Sequence, residues 1–514
     1  MPPDRPRVPG TGRPAGGPAA LLVDFGSTFT KLLLVDPREG VVLARATRPT
    51  TVAAGVEVGL RTGLDDLARA AGAAAVAAAS PRLACSSAAG GLRMVAVGLV
   101  RELTAAAAAA AALGAGARLL TTYCHRLTAE EVAAIGAQRP DVLLLAGGTD
   151  GGDRETLLHN AAALAALPPD ALGPLVVAGN KEATPLAVAG LRRAGHDARP
   201  AANVLPALGR LEVGPAQEAI RRIFLERIVH RKGLDGALAH LDGVVLPTPA
   251  AVLRAADLLA GDGGRDLVIV DVGGATTDVH AATAGAPARP EVYVQGLPEP
   301  RLKRTVEGDL GMRVSAPSTW EAITARWGPD LLPLAALEGR APPDAGARAA
   351  GYAGRTDALA ADAAGLALDA RLAAGAVGLA LERHAGTLEE RLTPAGRFWV
   401  QRGKDLSAVT LVVGSGGVFR GRADGPAVLA AGAAAAGGDP FRLVPRSPGL
   451  ALDRDYVLWA AGLLAPSHPT GARLLAARSL GRSGAAPAPG PAPAPGRPGG
   501  RERERTAPTA TAGS

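Results

Sequence analysis

The spacing of apolar and polar positions changes character several times along the chain. Leu21–Val23 is an apolar run that meets a turn at Asp24-Phe-Gly-Ser-Thr28, and Phe29–Asp36 and Val41–Thr47 follow after short turns. Three runs joined so tightly predict an antiparallel meander. Helical patterns then alternate with short apolar runs at Asp141–Ala146 and Leu175–Ala178, as in βαβ units with parallel pairing. Pro215–Lys232 carries apolar residues at helical spacing, with Pro in the first turn and Gly233 at the end, which predicts an amphipathic helix. After it the opening pattern restarts. Asp266–Val270 meets a turn at Asp271-Val-Gly-Gly-Ala-Thr-Thr277, Asp278–Ala282 and Glu291–Gln295 are the expected second and third strands, and Thr410–Val413 runs into Gly414-Ser-Gly-Gly417.

An apolar strand, an Asp, a Gly-containing turn and a second strand therefore occur twice, too far apart for a short-period solenoid. Two related lobes are expected, 19–245 and 246–481, with the boundary near Gly243–Leu253. Residues 1–18 are Pro- and Gly-rich, and 482–514 are Ala-Pro-Gly repeats followed by alternating Arg and Glu. Both are expected to be disordered arms.

Composition sharpens this only in places. Gly 67 and Pro 42 in 514 residues fall short of the roughly 25–30% of a low-complexity chain. Only 6 Phe, 4 Tyr and 4 Trp are present, so the core must be built from Ala, Val and Leu, and base-stacking platforms for single strands are not expected. The pI is about 9.9, yet most of the formal +7 sits in the two arms: Arg5, Arg7 and Arg13 against Asp4, and five Arg against two Glu beyond residue 481. A near-neutral body with basic arms is not a nucleic-acid face. Two cysteines exclude a disulfide framework and a Cys-only zinc site, and fit a reducing cytoplasm. No apolar leader is visible, and the Ala-rich stretch from Thr104 to Leu113, preceded by Arg101 and Glu102, is too short to span a membrane. A soluble, cytoplasmic protein is expected.

Three turns carry the chemistry. In Asp24-Phe-Gly26-Ser27-Thr28-Phe-Thr-Lys31, small residues let several backbone N–H groups point into one concavity that suits phosphate oxygens. Asp24 suits a Mg²⁺, and Lys31 supplies a point charge for a terminal phosphate; the alternative is an ordinary hairpin turn. Asp271-Val-Gly273-Gly274-Ala-Thr276-Thr277-Asp278 repeats the logic. Two carboxylates at two phosphate cradles fit Mg–nucleotide chemistry, in which phosphates are gripped from two sides around a metal. Gly414-Ser415-Gly416-Gly417 follows a strand, where glycines allow backbone to approach a planar ligand. Neither a P-loop pattern nor a complete dinucleotide fingerprint occurs.

In this order the three turns resemble the two phosphate motifs and the adenosine motif of the actin/Hsp70/sugar-kinase ATPase superfamily. Asp455-Tyr-Val-Leu-Trp-Ala-Ala-Gly462 resembles its closing connecting helix. Leu145-Ala-Gly-Gly-Thr-Asp-Gly-Gly152, Val177-Ala-Gly-Asn-Lys181, Val213-Gly-Pro-Ala-Gln217 and Arg304-Thr-Val-Glu-Gly-Asp-Leu-Gly311 narrow the resemblance, which spans about residues 20–465, to the MutL/GlmL family that accompanies glutamate (methylaspartate) mutase and kindred cobalamin-dependent mutases. The resemblance implies an α/β fold of two ribonuclease-H-like lobes with an ATP–Mg²⁺ cleft between them. Asp24 and Asp271 would position the metal, the Gly26/Ser27/Thr28 and Gly273/Gly274/Thr276/Thr277 turns the phosphates, and Gly414–Gly417 the nucleoside. It implies ATP hydrolysis that reactivates an adenosylcobalamin-dependent mutase, the mutase subunits being the partners. No cobalamin is expected in this chain, which lacks the D-x-H-x-x-G loop of corrinoid domains. By family position Asp150 either orients the attacking water or lies, with Asp153, in a solvated loop. The Asn180–Glu182 stretch is a functional strand end or plain scaffold, and Glu307 and Asp309 either face the cleft or cap a helix. Two rivals share the fold: a small-molecule kinase with Asp278 as general base, and an actin-like scaffold.

Overall fold

Strand β1 (Ala20–Phe25) is fully buried and pairs antiparallel with β2 (Phe29–Asp36), which pairs antiparallel with β3 (Val41–Pro49), the meander expected from the apolar runs. In this computed structural model the described residues are 18–480 except 27–28, 51–55, 87–91, 232–239, 243, 262–264, 288–290, 356–358, 361, 395 and 421. Both expected arms, apart from Pro18, lie outside the described residues, as do Ser27, Thr28 and Gly233. Strands β4 (Arg82–Ser86) and β10 (Val244–Pro247) complete the first sheet in parallel, giving the order β10-β4-β1-β2-β3.

The second sheet repeats this plan. Strands β11 (Leu267–Val272), β12 (Thr277–Ala282) and β14 (Leu302–Glu307) form the antiparallel meander, β17 (Leu411–Ser415) and β18 (Gly449–Leu452) add in parallel, and the order is β14-β12-β11-β17-β18. Both sheets thus place the first strand centrally, with the other two strands of its antiparallel meander on one side and two parallel strands on the other. This is the ribonuclease-H-like plan in duplicate, and it establishes the two-lobed actin-type α/β fold.

One expectation is corrected here. Glu291–Gln295 is not the third strand of the second meander. β13 (Val292–Gln295) pairs in parallel with β16 (Gly396–Arg402), which pairs antiparallel with β15 (Thr387–Thr393), in a separate three-stranded sheet. The third place belongs to the polar stretch Leu302–Glu307. Its Arg304 is buried because it has a carboxylate to meet, Asp278 on β12, with Nε to Oδ1 at 2.8 Å.

Between β4 and β10 the chain inserts an α/β unit. Strands β5 (Arg93–Gly98), β6 (Arg118–Cys124), β7 (Val142–Leu145), β8 (Leu175–Val177) and β9 (Ala198–Pro200) are all parallel in the order β6-β5-β7-β8-β9, as the βαβ pattern predicts. The helix Gly214–Arg231 buries Ala216, Ala219, Ile220, Ile223 and Phe224 on one face, the period of an amphipathic helix.

The chain crosses between the sheets twice. The helices Thr248–Ala260, Leu458–Leu464 and Pro469–Ser479 share one core with Leu22, Leu33 and Leu246 of the first sheet and with Ile269, Ala282 and Val413 of the second. The first lobe therefore includes Pro247 at its last strand and receives the C-terminal helices on its surface. A Cβ added at Gly462 would lie 1.8 Å from the Ala251 carbonyl oxygen, so two helices cross there in backbone contact. Gly462→Ala is expected to destabilise the protein by about 1–3 kcal/mol through overpacking, read as a lowered midpoint in thermal or urea unfolding; an unchanged midpoint would refute that contact.

Small residues replace aromatic bulk in the second lobe as well. The helix Ala363–His384 starts at Asp362, whose carboxylate accepts the Gly365 N–H at 2.7 Å. It packs on Gly425–Ala436 so closely that a Cβ at Gly432 would meet the Ala374 carbonyl at 2.6 Å. Among the described residues it is the one helix long and apolar enough to cross a membrane, and it is a core helix, with Leu372, Val377 and Leu381 buried in the second lobe.

Candidate functional site

Asp24 and Asp271 occupy matching places, near the ends of the central strands β1 and β11. Antiparallel register sets a different residue opposite each: Lys31 faces Asp24 and Asp278 faces Asp271. This asymmetry decides the electrostatics. Lys31 Nζ donates to Asp24 Oδ2 at 2.8 Å and lies 4.5 Å from the ring centroid of Tyr456, a cation–π contact from the C-terminal part of the chain. On its other oxygen Asp24 accepts the Thr248 hydroxyl at 2.7 Å and the Cys85 thiol at 3.6 Å.

Asp271 has no such partner. Its Oδ1 is buried and, among the described residues, accepts no hydrogen bond. Burial first, and the negative charge of Asp278 second, push its carboxyl up to about 7. Lys31 opposes that rise, and Asp453 and Asp24 add to it, so residues from both sheets lie within electrostatic range of one another. The Tyr456 phenol is raised well above its ordinary value by burial and by the carboxylates of Asp271, Asp24 and Asp453. Asp278 is committed elsewhere: Arg304 reaches its Oδ1 at 2.5 Å and Thr276 Oγ1 reaches its Oδ2 at 3.3 Å. Arg304 also donates to the carbonyls of Leu113 and Ala117, linking the second sheet to the inserted unit.

The turns divide into residues that face open space and residues that support them. Gly273 N–H donates to the Thr276 carbonyl at 2.9 Å, and the Gly273 and Gly274 carbonyls accept from Met312 and Arg313 N–H at 3.0 and 2.8 Å. A Cβ at Gly274 would meet only Arg313 Cβ, at 3.9 Å, and one at Gly417 would meet nothing within 4 Å; both glycines are exposed. Gly416 has φ +112°, where a Cβ would lie 2.2 Å from the Val272 carbonyl oxygen, so only glycine fits. Gly414 is packed beneath the turn against Leu452, Leu429 and Phe419. Ser415, paired in register with Asp271 on β11, is buried and donates to Asp453 at 3.0 Å. Asp453 in turn accepts the Val457 and Leu458 N–H groups that open the helix Leu458–Leu464. Thr277 is fully buried, with its hydroxyl on the Leu310 carbonyl at 3.0 Å. The Thr277 and Ser415 hydroxyls thus make structural bonds, and Thr276 is the half-buried threonine of its turn. Gly26 N–H donates to the Phe29 carbonyl at 3.1 Å, while Ser27 and Thr28 lie outside the described residues.

Among the described residues Asp150 shares no hydrogen bond with Asp24, Asp271 or Tyr456. Its Oδ1 accepts the Lys181 N–H at 3.0 Å and Asn203 Nδ2 at 2.9 Å at one end of the inserted sheet, and Asn180 ties the same loop through the Thr149 carbonyl at 2.8 Å. Asp150 therefore orders the loop in which it sits. Glu307 and Asp309 are held together by Arg383, at 2.9 Å and at 2.7 Å. Sequence reasoning missed Thr248, Cys85, Asp453 and the part played by Tyr456.

Among the described residues no three His, Cys, Asp or Glu side chains form a self-sufficient metal site. The pair Asp24/Asp271 suits Mg²⁺ better, since that ion takes one or two carboxylates and completes its shell with phosphates and water. The orphaned Asp271 Oδ1 is the observation that fits: a buried oxygen without a donor is costly unless a cation or proton answers it.

A family profile described as MutL protein matches residues 20–480. Protein MutL of Clostridium tetanomorphum is 43% identical over 456 residues, 88% of this chain and 96% of that protein. Among solved structures, nucleotide-free acetone carboxylase is similar with 15% identity and TM-score 0.36, over 87% of this chain and 70% of that one. A ROK family glucokinase from Streptomyces griseus in complex with glucose and AMPPNP shows 12% identity and TM-score 0.30, over 90% and 99%. Likenesses of that size add nothing to the topology already described.

Proposed function

The chain belongs to the MutL family, and from that premise we propose that it hydrolyses ATP between its lobes and uses the cycle to reactivate an adenosylcobalamin-dependent mutase. The observation that carries the cleft is the convergence of Asp24, Lys31, Asp271 and Tyr456 from the two halves of the chain, with Asp271 Oδ1 unanswered. Asp24 and Asp271 would hold Mg²⁺, whose bound charge neutralises phosphate oxygens during their transfer. Lys31 is free to turn from Asp24 toward a phosphate, since its side chain is 23% exposed. Gly274 and Gly417 leave room for phosphate and nucleoside, and Tyr456 backs the lysine.

ATP bound by both lobes favours a closed arrangement, and loss of the terminal phosphate removes part of that grip. The helix crossing at Gly462 and Ala251 is the joint about which such a two-state change turns. A kinase reading is weaker, because the carboxylate it needs as base, Asp278, is ion-paired with Arg304. The test is a mutase inactivated with a cobalamin that lacks the adenosyl group, mixed with this protein and free adenosylcobalamin. Recovery with Mg·ATP supports the proposal; recovery without ATP, or a new phosphorylated metabolite, overturns it.

A further inference from the structure

Asp24 is held differently on its two oxygens. Oδ1 accepts from Thr248 and Cys85, which are 6% and 0% exposed, so two core groups with little freedom pin it. Oδ2 accepts from Lys31, a long and partly exposed side chain. The first set fixes the carboxylate plane and the second is able to leave. Cys85 is the weaker of the two pins, because a thiol is a poor donor; burial keeps it a neutral thiol. Thr248 is therefore the group that decides which way Asp24 points.

Thr248 also begins the helix that runs between the lobes. Three residues on, less than one helical turn, Ala251 meets Gly462 of the crossing helix in backbone contact. A shift of one helix against the other thus moves the hydroxyl that orients Asp24, and a pull on Asp24 is felt at the crossing.

We propose that Thr248 is a positioning residue of the nucleotide cleft: its hydroxyl holds Asp24 so that Oδ2 is presented to the cation, and joins that carboxylate to the lobe crossing. The proposal rests on the Mg–nucleotide reading of the cleft. Hydrogen-bond partners of metal-ligating groups typically change metal affinity by about 10–100-fold when removed. Thr248→Val keeps the shape and removes only the hydroxyl; Thr248→Ser keeps the hydroxyl.

The test uses the full chain with ADP and Mn²⁺ as the spectroscopic probe, free Mn²⁺ being read by electron paramagnetic resonance. Wild type is expected to retain Mn²⁺, Thr248→Val to retain it about tenfold more weakly, and Thr248→Ser to return within about threefold of wild type. In turnover, Thr248→Val should raise the Mg²⁺ concentration for half-maximal rate more than it lowers the rate at saturating Mg²⁺. Equal Mn²⁺ affinity in Thr248→Val and wild type overturns the assignment. So does a Thr248→Ser as weak as Thr248→Val with the same loss of melting temperature, which marks a packing role. If wild type itself holds no Mn²⁺ in the presence of ADP, the nucleotide reading falls and the inference with it.

Discussion

Asp271→Asn is expected to abolish ATP turnover and, in the nucleotide-free protein, to raise stability above neutral pH. The loss of turnover follows from removing the negative charge that would hold the metal, without which the phosphate charge is left unneutralised. The gain in stability follows from linkage. Asp271 is pushed up to about 7 in the folded protein from an ordinary 3.8, so the native state holds the proton more tightly than the unfolded chain. Stability must then fall as pH rises from about 4 to about 7, and level off above. Asn has no proton to lose and escapes that fall. The ceiling is about 4 kcal/mol, three pKa units at 1.36 kcal/mol each. The amide's own unmet hydrogen bond subtracts from it. Relative to wild type, the variant should gain about 2 kcal/mol more at pH 8 than at pH 5, measured by urea unfolding without nucleotide. A stability difference that does not vary with pH would show that Asp271 is answered by a donor, and full turnover in the variant would remove it from the cleft chemistry.

That asymmetry between Asp24 and Asp271 is written in the sequence, although the motifs look alike. An antiparallel hairpin pairs each Asp with the residue seven positions later, Lys31 in one lobe and Asp278 in the other. The meanders and the parallel insert were legible for a similar reason: their strands are apolar runs with local partners. The second lobe's outer strand was not. Val292–Gln295 has the β-branched and aromatic look of a strand and forms one, but in the small outlying sheet with Tyr293 65% exposed. Leu302–Glu307 looks like a loop until Arg304 finds Asp278. Asp150 is singled out by family position, and the contacts that order its loop, with Asn180 and Asn203, come from strand ends with no local signal. Thr248 had no local signal, because its contact with Asp24 spans 224 residues. Cys85 meets the same carboxylate across 61.

A protein that reactivates a mutase must bind that mutase differently in its ATP and ADP states. A ligand shifts an equilibrium only by its differential affinity for the two states, so a factor that held its partner equally in both could do no work on it. Driving a mutase from mostly closed around dead cobalamin to mostly open requires a difference of roughly 10⁴-fold, about 5.5 kcal/mol, within what one ATP hydrolysis supplies. The expected outcome is a complex with the cobalamin-loaded mutase whose affinity differs by orders of magnitude between ADP and a non-hydrolysable ATP analogue. Release of damaged cobalamin should accompany one of the two states, and multiple rounds of recovery should need hydrolysable ATP. Asp271→Asn should bind the mutase yet fail to cycle, because the cleft loses the charge that would hold the metal. Gly462→Ala should bind nucleotide yet weaken the coupling, since it obstructs the helix crossing and not the cleft. Surface plasmon resonance on the immobilised mutase, with absorbance of released cobalamin, measures both quantities. Equal affinities in the two nucleotide states, or sustained recovery by Asp271→Asn, would end the reactivation reading and leave an ATPase whose partner lies elsewhere.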